Sequence, residues 1–290
     1  MKKLYGTGVA LVTPMGADGK IDFKGLERMI RHASKADYMV VMGTTGESAT
    51  LNEEERASVL ATVLRVNKRS KPVVYGIGGN NTAGVIAALR AFDPTGVSAI
   101  LSVSPYYNKP SQEGLYRHFM AIADQSPLPV ILYNVPGRTG SNLTADTTIR
   151  LSAHTNIIGI KEASGNLEQC MRIVREARKG FMLISGDDML TVPMISIGGV
   201  GVISVLANAF PGLFRKMTDS MALGKISAAG KIQRELLAMN SLMYEEGNPV
   251  GLKALLAHLG LCEGHVRLPL VSASDDLTGR ISRCASALNK

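Results

Sequence analysis

The chain has 290 residues, of which 46% are hydrophobic and 19% are charged, so it can bury one large core. Its formal net charge is +8, but lysine and arginine are scattered along the chain, which predicts the handling of small anions and no nucleic-acid partner. The 3 cysteines form no CxxC pair and the 5 histidines lack metal-ligand spacing, which excludes a disulfide framework and predicts a reduced, cytoplasmic protein without a metal or cofactor.

Short apolar runs alternate with amphipathic segments along most of the chain. In chain order the runs are GTGVALVT, YMVVMG, PVVYGIG, SAILSVS, PVILYNV, NIIGIKE, FMLISG and GVGVISV. Because they are apolar almost throughout, they predict parallel strands that helices cover. Asn52, Ser111 and Thr144 each precede acidic residues and predict helix starts. Eight strand–helix units predict a (β/α)8 TIM barrel.

The pattern after the eighth run is wholly helical. It contains more helix than one closing unit needs, so we predict a catalytic barrel over residues 1–224 and an appended C-terminal helical region over residues 225–290. The uncharged residues 189–214 could span a bilayer by length, but their glycines and prolines divide them into helix, turn, strand and helix. We therefore predict no membrane association.

The strand ends of the predicted barrel carry the polar residues from which a site could be built. The second run continues into GTTGES, the fourth into SPYYNKP, the fifth into YNVPGRTG and the seventh into GDD. In a barrel of this type the carboxyl ends of the strands form the reaction chamber. They supply hydroxyls, phenols, a guanidinium and an amine, from Thr44, Thr45, Tyr106, Tyr107, Tyr133, Arg138 and Lys161. This combination is typical of an enzyme that forms a Schiff base.

Lys161 follows an apolar strand, where a lysine needs an explanation. It is either paired with a neighbouring charge or held as a nucleophile for a carbonyl. Only a neutral amine attacks a carbonyl, and a dry site disfavours the ammonium form of lysines in general. Tyr133 offers a phenol for proton transfer, and Arg138 offers two parallel hydrogen bonds for a substrate carboxylate. We therefore favour the nucleophile.

Other polar residues near the strand ends have structural explanations that we prefer. Glu47 and Glu162 are predicted to be structural hydrogen-bond acceptors, and Asp187 and Asp188 to cap a helix rather than bind a metal. Tyr106 is predicted to be an interface aromatic. The segment YGIGGNNT lacks the third glycine of a dinucleotide fingerprint, which predicts an ordinary strand-to-helix turn.

The motifs GTTGES, SPYYNKP, YNVPGRTG and GIKEASG, in this order and spacing, resemble the dihydrodipicolinate synthase (4-hydroxy-tetrahydrodipicolinate synthase) family. The resemblance covers the whole chain, whereas the lysine motif alone would indicate only the wider pyruvate-dependent class I aldolase superfamily. It implies a lyase that condenses pyruvate with L-aspartate 4-semialdehyde in the diaminopimelate route to lysine. It also implies a homotetramer built from two tight dimers.

The resemblance further implies roles for individual residues. Lys161 would form the imine with pyruvate, and Tyr133 would transfer protons. Thr44 would link Tyr133 to Tyr107, which would reach across from a neighbouring subunit. The implied substrate-binding residues are Thr45 and Ile203 for pyruvate and Arg138 and Gly186 for the semialdehyde.

Many family members are inhibited by lysine bound at the tight-dimer interface. The corresponding positions here are Ser48, Ala49, Glu53, Arg56, Asn80, Gly84 and Tyr106. In lysine-sensitive members a glutamate stands at the position of Gly84, and histidines often stand at those of Glu53 and Arg56. We predict weak or absent inhibition, and note that Glu53 and Arg56 could supply substitute charges.

Two other functions stay open. A sibling Schiff-base lyase acting on sialic acid or a keto-deoxy sugar acid would use the same lysine and tyrosine, but it would need polar groups for a polyol tail where this chain has PGRTG. A catalytically silent barrel could serve as a binding or regulatory protein, but it would have no need to retain Lys161, Tyr133 and Thr45.

Overall fold

The computed structural model describes residues 4–68 and 70–288. Residues 1–3 and 289–290, at the outer ends of the two predicted domains, lie outside the described residues, as does Arg69.

Eight parallel strands form a closed barrel in chain order. They are β1 (Gly6–Ala10), β2 (Tyr38–Val41), β3 (Val73–Gly76), β4 (Ala99–Val103), β5 (Val130–Asn134), β6 (Ile157–Glu162), β7 (Met182–Ser185) and β8 (Gly201–Ser204). Each strand lies within one of the eight apolar runs, and nearly every strand residue is buried. The closed barrel confirms the predicted (β/α)8 fold. The strands are apolar throughout because a parallel sheet is covered on both faces.

Helices alternate with the strands and then continue alone to the end of the described chain. They are α1 (Phe23–Ala33), α2 (Glu53–Asn67), α3 (Thr82–Ala91), α4 (Gln112–Gln125), α5 (Pro136–Thr139), α6 (Ala145–Ser152), α7 (Leu167–Glu176), α8 (Thr191–Ser196), α9 (Pro211–Ala222), α10 (Ile226–Glu235), α11 (Leu237–Leu242), α12 (Val250–His258) and α13 (Asp275–Leu288). The appended helical region corresponds to α10–α13, and its predicted boundary as a separate domain stays a prediction.

The predicted helix starts are confirmed by their caps. Asn52 and Glu55 form a capping box, in which the Asn52 side chain accepts from the Glu55 amide at 2.9 Å and the Glu55 side chain accepts from the Asn52 amide at 3.0 Å. The Ser111 hydroxyl accepts from the Gly114 amide, and the Thr144 hydroxyl accepts from the Thr147 amide. These side chains satisfy backbone donors that a helix start leaves without intrahelical partners.

The uncharged residues 189–214 form elements too short to cross a bilayer. They contain α8, β8 and the start of α9, as the glycines and prolines predict. Within residues 4–68 and 70–288, no helix is both long enough and apolar enough for a membrane span.

The chain forms two compact units. One contains residues 4–5 and 73–203, and therefore the register pairs from β3 through β7. The other contains residues 6–68, 70–72 and 204–288, including β1, β2 and the C-terminal helices. Lys161 lies in the first unit, and Thr45 lies in the second.

Candidate active site

Lys161 is the second-last residue of β6, as the apolar run predicts. Ile157 and Ile160 on the same strand are completely buried, and Lys161 is 6% exposed. No ion pair involving Lys161 occurs among the described residues, so a neighbouring charge does not account for its burial. A rigid apolar strand therefore holds a primary amine in a largely dry position.

Tyr133 is the neighbour that the barrel brings to this amine. Tyr133 on β5 is the register partner of Lys161 on β6, and its side chain is 7% exposed. The Lys161 Nζ lies 4.4 Å from the centroid of the Tyr133 ring. This distance lies within the range of a cation–π contact and places a phenol beside the amine. The structure brings the two side chains together, and proton transfer by Tyr133 stays a prediction.

Gly186 follows β7 and packs against the Lys161 side chain. A Cβ atom at position 186 would lie 3.1 Å from Lys161 Cε and 2.8 Å from Ala163 Cβ. The Gly186 amide donates to the Glu162 carbonyl at 2.8 Å. A side chain at this position would crowd Ala163 and the Lys161 side chain, so glycine permits the close packing. The predicted contact of the Gly186 carbonyl with a substrate stays a prediction.

Arg138 lies on the short helix α5, five residues after Tyr133. Its side chain is exposed, and its amide donates to the Val135 carbonyl at 2.9 Å. Pro136 begins the helix at a position where its fixed backbone angle is favourable. Arg138 therefore lies on the short helix that directly follows the Tyr133 strand. Its role in binding a carboxylate stays a prediction.

Tyr106 and Tyr107 form the turn that follows β4. Tyr107 is 89% exposed and has a φ of 74°, an uncommon backbone angle for a residue with a side chain. Tyr106 is 43% exposed, and its carbonyl accepts from the Asn80 side chain at 3.1 Å. Asn108 donates back to the Asn80 carbonyl at 3.0 Å, which holds the turn. The structure presents Tyr107 to solvent on a fixed turn.

Ile203 is a completely buried residue of β8, and the register of β7 with β8 pairs Ser185 with Val202 beside it. Its predicted backbone contact with pyruvate stays a prediction.

Thr44 and Thr45 belong to the second unit, where they begin a short 3-10 turn. Thr45 is 3% exposed, and its hydroxyl accepts from the Asn248 side chain at 3.1 Å. Residues Gly43 to Gly46 are also held by Thr13, whose hydroxyl donates to the Gly46 carbonyl at 2.7 Å. The sequence reasoning missed Asn248, because no local pattern near it indicates a partner in GTTGES.

Glu47 is the centre of a buried ion pair in the same unit. The Lys253 Nζ donates to Glu47 Oε1 at 2.5 Å and to the His265 carbonyl at 2.7 Å, and the Arg267 amide donates to Glu47 Oε2 at 3.0 Å. Burial lowers the pKa of Lys253, which the Glu47 carboxylate opposes. The prediction that Glu47 is a structural acceptor is confirmed. Lys253 was missed, although a single lysine within the apolar helix VGLKALLAH was a usable signal.

Glu162 at the end of β6 is a hydrogen-bond acceptor and Asp187 after β7 is a cap, as predicted, whereas Asp188 is not a cap. Glu162 accepts hydrogen bonds from Asn134, Gln169 and the Ser164 amide. The Asp187 side chain caps the next helical turn by accepting from the Met189 amide at 2.8 Å, and Asp188 is the first residue of that turn. The described residues contain no group of three or more His, Cys, Asp or Glu arranged to hold a metal ion.

The residues of the predicted effector pocket lie partly in each unit. In the second unit, Arg56 donates through Nη2 to the Ser48 carbonyl at 2.7 Å, whereas Ala49 and Glu53 are exposed. In the first unit, Asn80 binds the Tyr106 carbonyl as described above, and Gly84 lies in the first turn of α3. The expected weak or absent inhibition by lysine stays a prediction.

The segment YGIGGNNT connects β3 to α3, as predicted. The Asn81 side chain caps α3 by accepting from the Gly84 amide at 3.3 Å. It is an ordinary strand-to-helix turn.

Comparison with known proteins identifies the family. The sequence pattern of the dihydrodipicolinate synthetase family matches residues 3–288. The chain belongs to this family. A curated relative from Cytophaga hutchinsonii, named 4-hydroxy-tetrahydrodipicolinate synthase, is 51% identical over 285 residues, which cover 98% of this chain and 96% of the relative. The resemblance carried by the four motifs is thereby confirmed.

Solved structures of dihydrodipicolinate synthases share the whole fold. The chloride-inhibited enzyme from Acinetobacter baumannii, complexed with pyruvate, is 35% identical with a TM-score of 0.95, and the match covers 99% of each chain. The enzyme from Cyanidioschyzon merolae, with lysine bound, is 38% identical with a TM-score of 0.95, again over 99% of each chain. The predicted barrel is therefore that of the dihydrodipicolinate synthase family.

Proposed function

We propose that this chain is a 4-hydroxy-tetrahydrodipicolinate synthase, which condenses pyruvate with L-aspartate 4-semialdehyde. The observation that carries the proposal is the buried Lys161 amine, 4.4 Å from the ring centroid of Tyr133, in a chain of this family. A lysine amine that forms an imine and a phenol that moves protons are the two groups that such a condensation needs.

The reaction begins when the Lys161 amine adds to the ketone carbon of pyruvate. Loss of water from the resulting carbinol gives the imine, and loss of a proton from the methyl group gives the enamine. Tyr133, whose ring lies beside the amine, would move these protons. The enamine carbon attacks the aldehyde carbon of the semialdehyde. The amine of the added unit then attacks the imine carbon and displaces Lys161, which closes the ring and regenerates the enzyme.

The remaining site roles belong to the same proposal. Arg138 would hold the carboxylate of the semialdehyde, and Gly186 would orient that substrate. Thr45 and Ile203 would hold the pyruvate carboxylate. A guanidinium suits the first task because its planar donors match a carboxylate with two parallel hydrogen bonds.

Assembly and location complete the proposal. Tyr107 is exposed on a fixed turn of the single chain, which supports a role that a second copy of the chain would complete. We infer a homotetramer made of two tight dimers in which Tyr107 contributes to the neighbouring site through Thr44. We also infer a cytoplasmic enzyme of lysine biosynthesis.

The test traps the imine. The protein is incubated with pyruvate and borohydride, and the modified residue is located by mass spectrometry. We expect the adduct on Lys161, with none in Lys161→Ala or Lys161→Arg, because a guanidinium stays protonated and cannot form the imine. Lys179→Ala is the control, since Lys179 is exposed.

Turnover of L-aspartate 4-semialdehyde is then measured on the same samples. Trapping with turnover supports the proposal. Trapping without turnover would favour the sibling lyase for sialic acid or a keto-deoxy sugar acid, and absence of an adduct would favour a silent barrel. An adduct on a different lysine would overturn the assignment of Lys161.

A further inference from the structure

A buried polar cluster adjoins the Lys161–Tyr133 pair on the opposite face of the sheet. Asn134 follows Tyr133, Glu162 follows Lys161, and Asn134 and Glu162 are register partners. Successive side chains of a strand point to opposite faces, so this second pair points away from the amine and the phenol. Glu162 is 1% exposed and Asn134 is completely buried. The proposed reaction uses neither residue directly.

The Glu162 carboxylate is surrounded by neutral donors. Oε1 accepts from the Ser164 amide at 2.7 Å, Oε2 accepts from Gln169 Nε2 at 2.9 Å, and Asn134 Nδ2 lies 3.1 Å and 3.0 Å from the two oxygens. No cation among the described residues forms an ion pair with it. Burial and this carboxylate raise the pKa of the Cys170 thiol to about 12. A carboxyl group that is 1% exposed and bound only by neutral donors is uncommon, because acidic side chains are seldom fully buried without a cation.

The carboxylate determines which way its two amide neighbours face. An ionised carboxylate only accepts hydrogen bonds, so Asn134 and Gln169 must both turn their NH₂ groups towards Glu162. Their amide oxygens are then left to accept from other groups. Asn134 Oδ1 accepts from the Leu143 amide at 2.9 Å, and Gln169 Oε1 accepts from Asn142 Nδ2 at 2.9 Å.

These amides hold the segment that carries Arg138. Asn134 precedes the segment, and its Nδ2 donates to Asn142 Oδ1 at 2.7 Å at the far end. Gln169 Nε2 donates to the Leu143 carbonyl at 3.2 Å. The two ends of residues 135–142 are therefore closed onto one anchor, with Arg138 on α5 between them.

We propose that Glu162 is a positioning residue for the acceptor substrate. Its carboxylate orients Asn134 and Gln169, which fix the Arg138 segment relative to the strand that carries Lys161. We expect this to favour acceptor aldehydes that carry a carboxylate. The Arg138 guanidinium can then bind the carboxylate while the aldehyde carbon lies at the enamine. The inference rests on the proposed function and adds a residue that does not touch substrate.

The test begins with Glu162→Gln, which replaces one acceptor by a donor and forces one neighbouring amide to turn. We expect KM for L-aspartate 4-semialdehyde to rise about tenfold, the equivalent of one lost hydrogen bond. The KM for pyruvate and the rate of borohydride trapping should stay within about twofold, because Lys161 and Tyr133 point to the other face. Glu168→Gln, on the exposed face of α7, is the matched control.

The double variant Glu162→Gln with Gln169→Glu is the rescue. It moves the carboxylate to the other side of the Glu162–Gln169 hydrogen bond, so the amide introduced at position 162 can donate to it, but it removes the Gln169 donation to the Leu143 carbonyl. We therefore expect the KM for the semialdehyde to recover in part, while the rate of pyruvate trapping stays unchanged. Asn142→Ala removes the half-buried side chain that accepts from Asn134 at the far end of the Arg138 segment. If Glu162→Gln does not fold, this variant should show the same rise in the KM for the semialdehyde.

Three results would overturn the inference. One is an unchanged KM for the semialdehyde in both Glu162→Gln and Asn142→Ala. Another is a loss of pyruvate trapping as large as the effect on the semialdehyde, and the third is a double variant no better than the single. These outcomes differ from failure of the proposed function, in which the unmodified chain itself neither traps pyruvate nor consumes the semialdehyde.

Discussion

Lys161 and Tyr133 are register partners on β6 and β5, and the Lys161 Nζ lies 4.4 Å from the centroid of the Tyr133 ring. Both side chains are more than nine-tenths buried. The pair therefore places an amine beside a proton-transfer group in a position from which water is largely excluded.

Gly186→Ala should displace Lys161. The added methyl group would lie 3.1 Å from Lys161 Cε and 2.8 Å from Ala163 Cβ, so one of them must move. Small displacements of a reacting group cost up to about 10²-fold in rate, and we expect trapping of pyruvate to slow at least about tenfold. Gly212→Ala is the control, because nothing lies within 4 Å of its added atom. Equal trapping rates in the two variants would show that the close packing at Gly186 is dispensable.

Tyr107→Phe should lower turnover with little effect on folding. The side chain is 89% exposed in the single chain, so loss of its hydroxyl should change the free energy of unfolding by no more than about 0.5 kcal/mol. Turnover should fall about tenfold or more if the phenol takes part in proton transfer at a neighbouring site. Steady-state rates, thermal unfolding and sedimentation are measured together, with Tyr116→Phe as the control. Full activity in a demonstrated monomer would contradict the cross-subunit role.

Gly84→Glu should increase inhibition by L-lysine. An atom added at Gly84 would meet nothing closer than the Asn81 side chain at 3.6 Å, so a glutamate can be accommodated. A charge-assisted hydrogen bond contributes about 1.5–3 kcal/mol, which is about tenfold or more in affinity. Titrations of the initial rate with L-lysine compare Gly84→Glu with Gly84→Ala and the unmodified chain. Strong inhibition of the unmodified chain, well below substrate concentrations, would show that Glu53 and Arg56 rebuild the site.

Lys253→Met should destabilise the fold strongly. It leaves the Glu47 carboxylate buried after removal of the Lys253 partner, and such a change costs about 3–5 kcal/mol. The double variant Lys253→Met with Glu47→Gln removes both charges and should recover part of that loss. Urea unfolding of both variants gives the comparison. A single variant within about 1 kcal/mol of the unmodified chain would mean that the ion pair contributes little.

His118 should make the protein less stable in acid. Burial lowers the pKa of His118 from 6.5 to about 4, and its Nδ1 lies 2.9 Å from the Thr82 hydroxyl. The pKa of His118 is lower in the folded state than in the unfolded state. Its contribution to the free energy of unfolding is therefore fully present above pH 6.5 and is lost as the pH falls through 4, which amounts to roughly 3 kcal/mol. Urea unfolding between pH 4 and 8 should show that the free energy of unfolding of the unmodified chain falls towards pH 4. This fall should be absent in His118→Gln and present in His258→Gln, the control at an exposed site. Equal pH profiles in all three proteins would refute this assignment.

Local patterns in the sequence were sufficient for the elements and for the main residues at the strand ends. Apolar runs located all eight strands, and capping residues located the starts of α2, α4 and α6. Lys161 stood out because a lysine ending an apolar strand conflicts with its surroundings. These inferences succeed because burial of a strand face and satisfaction of a helix start depend on residues a few positions apart.

The partners of the supporting residues could not be obtained in this way. Asn248 and Thr45 are separated by 203 positions, and Lys253 and Glu47 by 206. Glu162 reads as an ordinary acceptor in GIKEASG. Its anchoring of the Arg138 segment depends on Asn134 in β5, Asn142 in the loop before α6 and Gln169 in α7. A periodic pattern reports which face of an element is buried, but it carries no information about the group across that face. The register of β5 and β6 decides which donor meets which acceptor around Glu162. In the same way, the packing of α12 decides that Lys253 contacts Glu47 of GTTGES, about 200 residues earlier in the chain.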